Sequence, residues 1–124
     1  MKDNLEKMFE LREEFMRAIQ RKYPSSYPEW PVDVSKKRSQ KALRETALKG
    51  VEEMFEALQH LKNWKTHKQK GSTDFDRAEF LEEMVDAFNY FFAMFVMLGV
   101  TPEEFMKAYE LKDQKIHQRL AEKY

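Results

Sequence analysis

The chain has 124 residues, which suits a single domain spanning 1–124 with a core of its own. Its 22 Lys and Arg balance 22 Asp and Glu, so the net charge is zero, which argues against a generic nucleic-acid binder. The absence of cysteine excludes disulfides, thiolate metal sites and thiol nucleophiles, and makes an intracellular, cytoplasmic home the simpler expectation. The start, Met1-Lys2-Asp3-Asn4-Leu5, is charged and lacks the apolar run of a signal peptide. The longest apolar run, Phe91 to Val100, is too short to span a bilayer.

Residues 3–22 read as a first helix, because Leu5, Met8, Phe9, Phe15, Met16 and Ile19 recur mostly at three- and four-residue intervals. Asp3 or Asn4 is placed to cap it. From Tyr23 to Pro31, three prolines and two serines in nine residues forbid regular helix. The aromatics Tyr23, Tyr27 and Trp30 imply that this loop is packed. A second helix is expected from about Ser35 to about Thr66, with Leu43, Ala47, Val51, Met54, Phe55, Leu58 and Leu61 on its apolar face. Gly50 inside it costs about 1 kcal/mol against alanine. It marks either a close approach of another element or a tolerated local weakness.

Lys68 to Thr73 is a polar loop, and Thr73 followed by Asp76 resembles a capping box that opens a third helix running to Leu98. That helix is apolar over much of its circumference, which predicts a central place in a bundle or a buried oligomer interface. Gly99 is a helix stop, and Thr101-Pro102-Glu103-Glu104 is a start signal for a fourth helix to about Lys123. No strand pattern or internal repeat is visible. The expected fold is all-α: four helices, antiparallel neighbours and short loops. The apolar load of the third helix exceeds what a lone four-helix unit needs, so a homo-oligomer is expected.

Two acidic pairs sit inside these helices. Glu53 with Glu56, and Glu83 with Asp86, are three residues apart, so each pair projects two carboxylates from one side of its helix. Met54, Phe55, Leu58, Met84, Val85 and Phe88 interleave with them and place them beside an apolar face. If the two helices pack together, four carboxylates share one pocket and repel unless cations neutralise them. All-oxygen ligands suit a hard cation such as Mg²⁺. The plain alternative is that each pair belongs to a solvated helix face. His60, His67 and His117 show no paired metal-ligand spacing, which argues against zinc.

The run Glu52-Glu53-x-x-Glu56, followed by Glu83-x-x-Asp86, resembles the signature of the all-α nucleoside triphosphate pyrophosphatases, which include the MazG-type enzymes and the dimeric dUTPases. Leu61-Lys62-Asn63-Trp64-Lys65 and the aromatic run after Asp86, ending in Leu98-Gly99-Val100, are similar to the dimeric dUTPase branch. So is the basic tail with Tyr109, Lys112, His117, Arg119 and Tyr124. The resemblance covers most of the chain beyond residue 40 and helix 1 only loosely. It departs at Ile116 and Leu120, where the family often has Asn and Gln, at Arg12, where a glutamine is usual, and at Asn89, where some dUTPases carry His. The metal signature is intact, while the base-reading and phosphate-gripping positions are altered.

The resemblance implies hydrolysis of a deoxynucleoside triphosphate, dUTP first, to the monophosphate and pyrophosphate by a microbial or phage homodimer or dimer of dimers. Another nucleotide such as dCTP or dGTP is the close rival, and a non-catalytic oligomerisation module is the alternative from a different class. Glu53, Glu56, Glu83 and Asp86 would hold two or more Mg²⁺ ions. Glu52, about 100° round the helix from Glu53, would be the general base or else simply face solvent. Lys62, Lys65, Lys112, Lys115 and Arg119 are candidates for the triphosphate, since charge-assisted bonds to phosphate are strong. Trp64 would stack on a base or fill the core, and Asn89 would hydrogen-bond base or sugar. Neither a membrane nor a nucleic acid is an expected partner.

Overall fold

The computed structural model describes residues 2–68 and 74–123. The first helix, α1, spans Asn4–Lys22 and starts where the Asp3 side chain accepts a hydrogen bond from the Glu6 backbone N–H. Its inward face carries Phe9 and Met16, both buried. The loop that follows turns back across the end of the molecule. Trp30 is buried in it, its Nε1–H donates to Glu13 Oε2 at 2.9 Å, and the Arg17 guanidinium carbon stands 3.8 Å from the Trp30 ring centroid. Tyr27 meets Trp30 edge-on, and the Val32 N–H donates to the Met97 carbonyl at 2.9 Å. The loop is therefore packed, as its aromatics imply.

The second helix, α2, spans Lys37–Leu58. Ser35 does not cap it, because its N–H and hydroxyl both donate to the Asp33 carboxylate. The helix ends eight residues short of the expected Thr66. Gln59, His60 and Leu61 instead donate to carbonyls three residues back, a tightening turn that closes the helix. Beyond it residues 61–68 are all exposed. Helices in proteins persist mainly where a face is packed, and Asn63, Trp64, Thr66 and His67 are weak helix formers without such a face.

The third helix, α3, spans Arg77–Leu98, and Asp76 caps it by accepting from the Glu79 N–H at 3.0 Å. The Thr73 of the expected capping box lies outside the described residues, as does Tyr124 of the basic tail. Gly99 ends α3 at φ 76°, a left-handed conformation that favours glycine, while Val100 N–H reaches back to the Phe95 carbonyl. The fourth helix, α4, spans Pro102–Lys123 and is capped by the Thr101 hydroxyl on the Glu104 N–H.

All four expected helices are present, and no strand occurs among the described residues. Helix α3 is central, packing along α2 on one side and against α1 on another. The core joins Phe9, Met16, Trp30, Leu43, Ala93, Val96 and Met97 at one end of the α2–α3 hairpin. The fourth helix does not return as an antiparallel neighbour: the chain turns by 109° between α3 and α4. Phe105 packs against Phe9 and Phe95, and every residue from Met106 to Glu122 is exposed. No single helix among the described residues is long and apolar enough to cross a membrane.

Candidate metal centre

Small residues let α2 and α3 lie close. Gly50, Ala57 and Ala87 are buried, and a Cβ on Gly50 would stand 3.1 Å from the Ala87 carbonyl oxygen. On one side of this seam α2 carries Lys49, Glu53 and Glu56, three or four residues apart. The same side of α3 carries Glu79, Glu83, Asp86 and Tyr90 at the same intervals. Glu53 and Glu83 are half-buried at the seam, with Glu56, Asp86 and Glu79 exposed at its rim.

The carboxyl of Glu53 is held above its ordinary value of 4.5, first by partial burial, then by Glu56 and by the charges of Asp86 and Glu83. Carboxylates raise one another's pKa only at short range. The structure thus brings the two acidic pairs within electrostatic reach across the hairpin. An all-oxygen set with an excess of negative charge matches the chemistry of a hard divalent cation.

One histidine stands beside acids of the other helix. Among the described residues, the side chains whose ligand atoms already lie within 4.8 Å of one another are His60, Glu79 and Glu83. His60 Nε2 is 3.1 Å from Glu83 Oε2. The pairing crosses two helices, so spacing along the chain does not show it. The local hints are Glu56 to His60 and Glu79 to Glu83, both four residues apart.

Toward the open end of the hairpin, where α2 begins and α3 ends, a cleft of about 330 Å³ opens between α1, the proline-rich loop, α2 and α3. Arg12, Tyr27, Thr46, Lys49 and Tyr90 line it. Lys49 and Tyr90 stand one helical turn from Glu53 and Asp86, so the cleft lies one turn along the seam from the acidic cluster. The Nε of Arg12 is buried with no hydrogen-bond partner among the described residues. A buried polar group left unpaired costs free energy that a ligand can recover. Sequence reasoning marks Arg12 only as a departure from a pattern, not as a wall of a cleft.

The remaining candidates divide by position. Glu52 is exposed on α2 beside the cluster, and Asn89 is half-buried on α3. Lys62, Trp64 and Lys65 come together on a shallow groove past the end of α2 with Phe55 and Leu58. Trp64 is 71% exposed, so it does not fill the core, and Lys65 Nζ lies 5.6 Å from its ring centroid. Lys112, Lys115 and Arg119 are exposed on α4, whose packing on α1 and α3 is made by Phe105 near its start, and they are not brought near the acids within one chain.

The mutual repulsion makes a stability prediction. In metal-free protein with a chelator present, Glu53→Gln is expected to raise the melting temperature at pH 7. A raised folded-state pKa means that the fold favours neutral Glu53. The stability that this neutral form contributes is full below 4.5 and is lost as pH rises through the raised value. Glutamine never ionises and escapes that loss, so the gain over wild type should vanish in melts recorded below 4.5. A mutant no more stable than wild type at pH 7 would mean that Glu53 does not feel the α3 acids.

No family model, curated protein or solved structure matches this chain.

Proposed function

We propose that the chain is a Mg²⁺-dependent deoxynucleoside triphosphate pyrophosphatase, with dUTP as its first candidate substrate. The observation that carries this reading is the close α2–α3 seam, where Glu53 and Glu83 are half-buried with Glu56 and Asp86 one turn away on the same faces. It is supported by the resemblance of Glu52-Glu53-x-x-Glu56 and Glu83-x-x-Asp86 to the pyrophosphatase signature, and by the cleft beside the acids.

In this reading Glu53, Glu56, Glu83 and Asp86 hold two or more Mg²⁺ ions. Mg²⁺ held by these acids would supply positive charge against the triphosphate and would make the attacking water more acidic. Glu52, exposed at the edge of the cluster, takes the proton of the attacking water. The bond between the α- and β-phosphates breaks, leaving nucleoside monophosphate and pyrophosphate. The cleft receives the nucleoside: Tyr27 and Tyr90 offer aromatic faces, Arg12 and Lys49 offer donors, and Asn89 stands nearby on α3. Lys62, Trp64 and Lys65 line a separate groove past the end of α2 and would meet only a substrate that extends beyond the acids. Lys112, Lys115 and Arg119 reach a triphosphate only across an oligomer, because their helix leaves the body of its own chain.

A homodimer or dimer of dimers belongs to the proposal. On the other side of the seam Val51, Phe55 and Leu58 on α2 and Leu81, Val85 and Phe88 on α3 form two apolar stripes, each residue 40–62% exposed. A patch of this kind marks an interface. The same stripe also favours a second reading, a helical oligomerisation module without chemistry.

Pyrophosphate release measured over a panel of deoxynucleoside triphosphates, with and without Mg²⁺, separates these. The expected result is Mg²⁺-dependent release, fastest from dUTP. Equal rates on all nucleotides would remove the dUTP assignment and leave the broader activity. No release from any of them would leave the module.

A further inference from the structure

We infer that His60, Glu79 and Glu83 form a second cation position, distinct in chemistry from the four-carboxylate cluster and selective for Zn²⁺ or a similar borderline divalent ion. The ligand atoms of the three residues lie within 4.8 Å of one another. The closest pair, His60 Nε2 and Glu83 Oε2, is at 3.1 Å. A tetrahedral zinc shell with bonds of about 2.1 Å sets its ligand atoms roughly 3.4 Å apart, so this edge is close to the spacing that zinc requires. Rotation of the exposed Glu79 side chain completes three protein ligands and leaves the fourth position to water.

The position is held by its surroundings. Glu79 and Glu83 are one turn apart on α3, so both carboxylates point the same way. His60 sits in the tight turn that ends α2, where its N–H donates to the Ala57 carbonyl at 3.1 Å. The His60 ring is half-buried, and its centroid lies 6.5 Å from that of Phe80, which in turn packs edge-on against Phe75. An imidazole fixed by a tight turn and an aromatic neighbour has lost much of the rotamer freedom that metal binding would otherwise have to remove.

The ligand set decides the ion. Mg²⁺ takes oxygen ligands and keeps several waters, whereas imidazole nitrogen favours zinc and its transition-metal neighbours. One nitrogen and two carboxylate oxygens therefore discriminate against the cation that the all-oxygen cluster selects. Glu83 belongs to both positions, so occupancy of one is felt at the other. Zinc binding shares that residue with the nucleotide reading and otherwise stands apart from it, since it needs no substrate.

Calorimetric titration of the full, metal-stripped chain with ZnCl₂ at neutral pH tests it. The expected result is one zinc per chain, weakened at least about 10–100-fold by His60→Ala and by Glu79→Gln. His117→Ala, which removes the other histidine paired with an acid, is expected to leave binding unchanged, and so is His67→Ala. Circular dichroism establishes that each variant remains helical. On the unmutated chain, the zinc X-ray absorption spectrum should show the scattering of one imidazole. Wild-type affinity in both His60→Ala and Glu79→Gln, or an all-oxygen zinc shell, overturns the inference. Glu53→Gln removes none of the three ligands and should keep zinc while losing Mg²⁺, so failure of the zinc site and failure of the pyrophosphatase reading are told apart.

Discussion

Replacing Glu83 by glutamine is expected to lower Mg²⁺-dependent nucleotide hydrolysis by about three orders of magnitude, because a bound metal contributes several kcal/mol of transition-state stabilisation and each ~1.36 kcal/mol is tenfold in rate. Glu83 is the acid on which the site converges. It is half-buried at the seam, contributes to the elevated carboxyl of Glu53, and lies 3.1 Å from His60 Nε2. Glutamine keeps the shape and still offers an acceptor oxygen to His60, but removes the charge that a cation needs. The fold should persist, since the substitution relieves like-charge repulsion. The loss should appear in kcat at saturating nucleotide and Mg²⁺, with the far-ultraviolet dichroism unchanged. Full activity in this variant would place the chemistry elsewhere.

The second large effect is expected at Gly50. A Cβ there would come within 2.9 Å of Phe91 Cε1 and 3.1 Å of the Ala87 carbonyl oxygen. The Phe91 ring is half-buried and can swing, but the Ala87 oxygen is part of the α3 backbone and cannot move without the helix. Gly50→Ala thus sets a close contact against the roughly 1 kcal/mol by which alanine favours the helix. Gly50→Leu adds three further carbons at a seam with no room for them, and overpacking of this kind costs about 1–3 kcal/mol or more. A net loss of about 2 kcal/mol is expected for the leucine variant, read as a lower urea midpoint at unchanged slope. Because the helix spacing sets the distance from Glu53 and Glu56 to Glu83 and Asp86, cation binding should weaken with it. Unchanged stability in Gly50→Leu would contradict the close approach of the two helices.

Features that depend only on neighbours along the chain are legible in the sequence. Caps and stops are local chemistry, so Asp3, Gly99 and Thr101-Pro102 mark the helix ends where they occur, whereas Asp76, expected inside the first turn behind a Thr73 cap, is itself the cap of α3. Helical spacing alone puts Glu53 with Glu56, and Glu83 with Asp86, on single faces. Of the two readings of Gly50, the close approach is the one observed.

The misses all depend on what does or does not pack in three dimensions. The apolar residues near Leu61 suggest more helix, yet α3 begins at Arg77 and offers no partner beyond His60. The start signal of α4 says nothing about the direction in which the helix leaves, so it does not place Lys112, Lys115 and Arg119 relative to the acids. His60 meets Glu83 across 23 positions of sequence, and Arg12 meets its cleft through four separate segments. Such contacts leave no periodic trace.

The most direct measurement is a crystal structure of the full chain grown with Mn²⁺ in place of Mg²⁺, with data collected for manganese anomalous scattering. The expected result is anomalous density between α2 and α3, about 2.1–2.2 Å from carboxylate oxygens of Glu53, Glu56, Glu83 and Asp86. Glu53 and Glu56 directed into solvent away from Glu83 and Asp86, with no anomalous density between the helices, would contradict it.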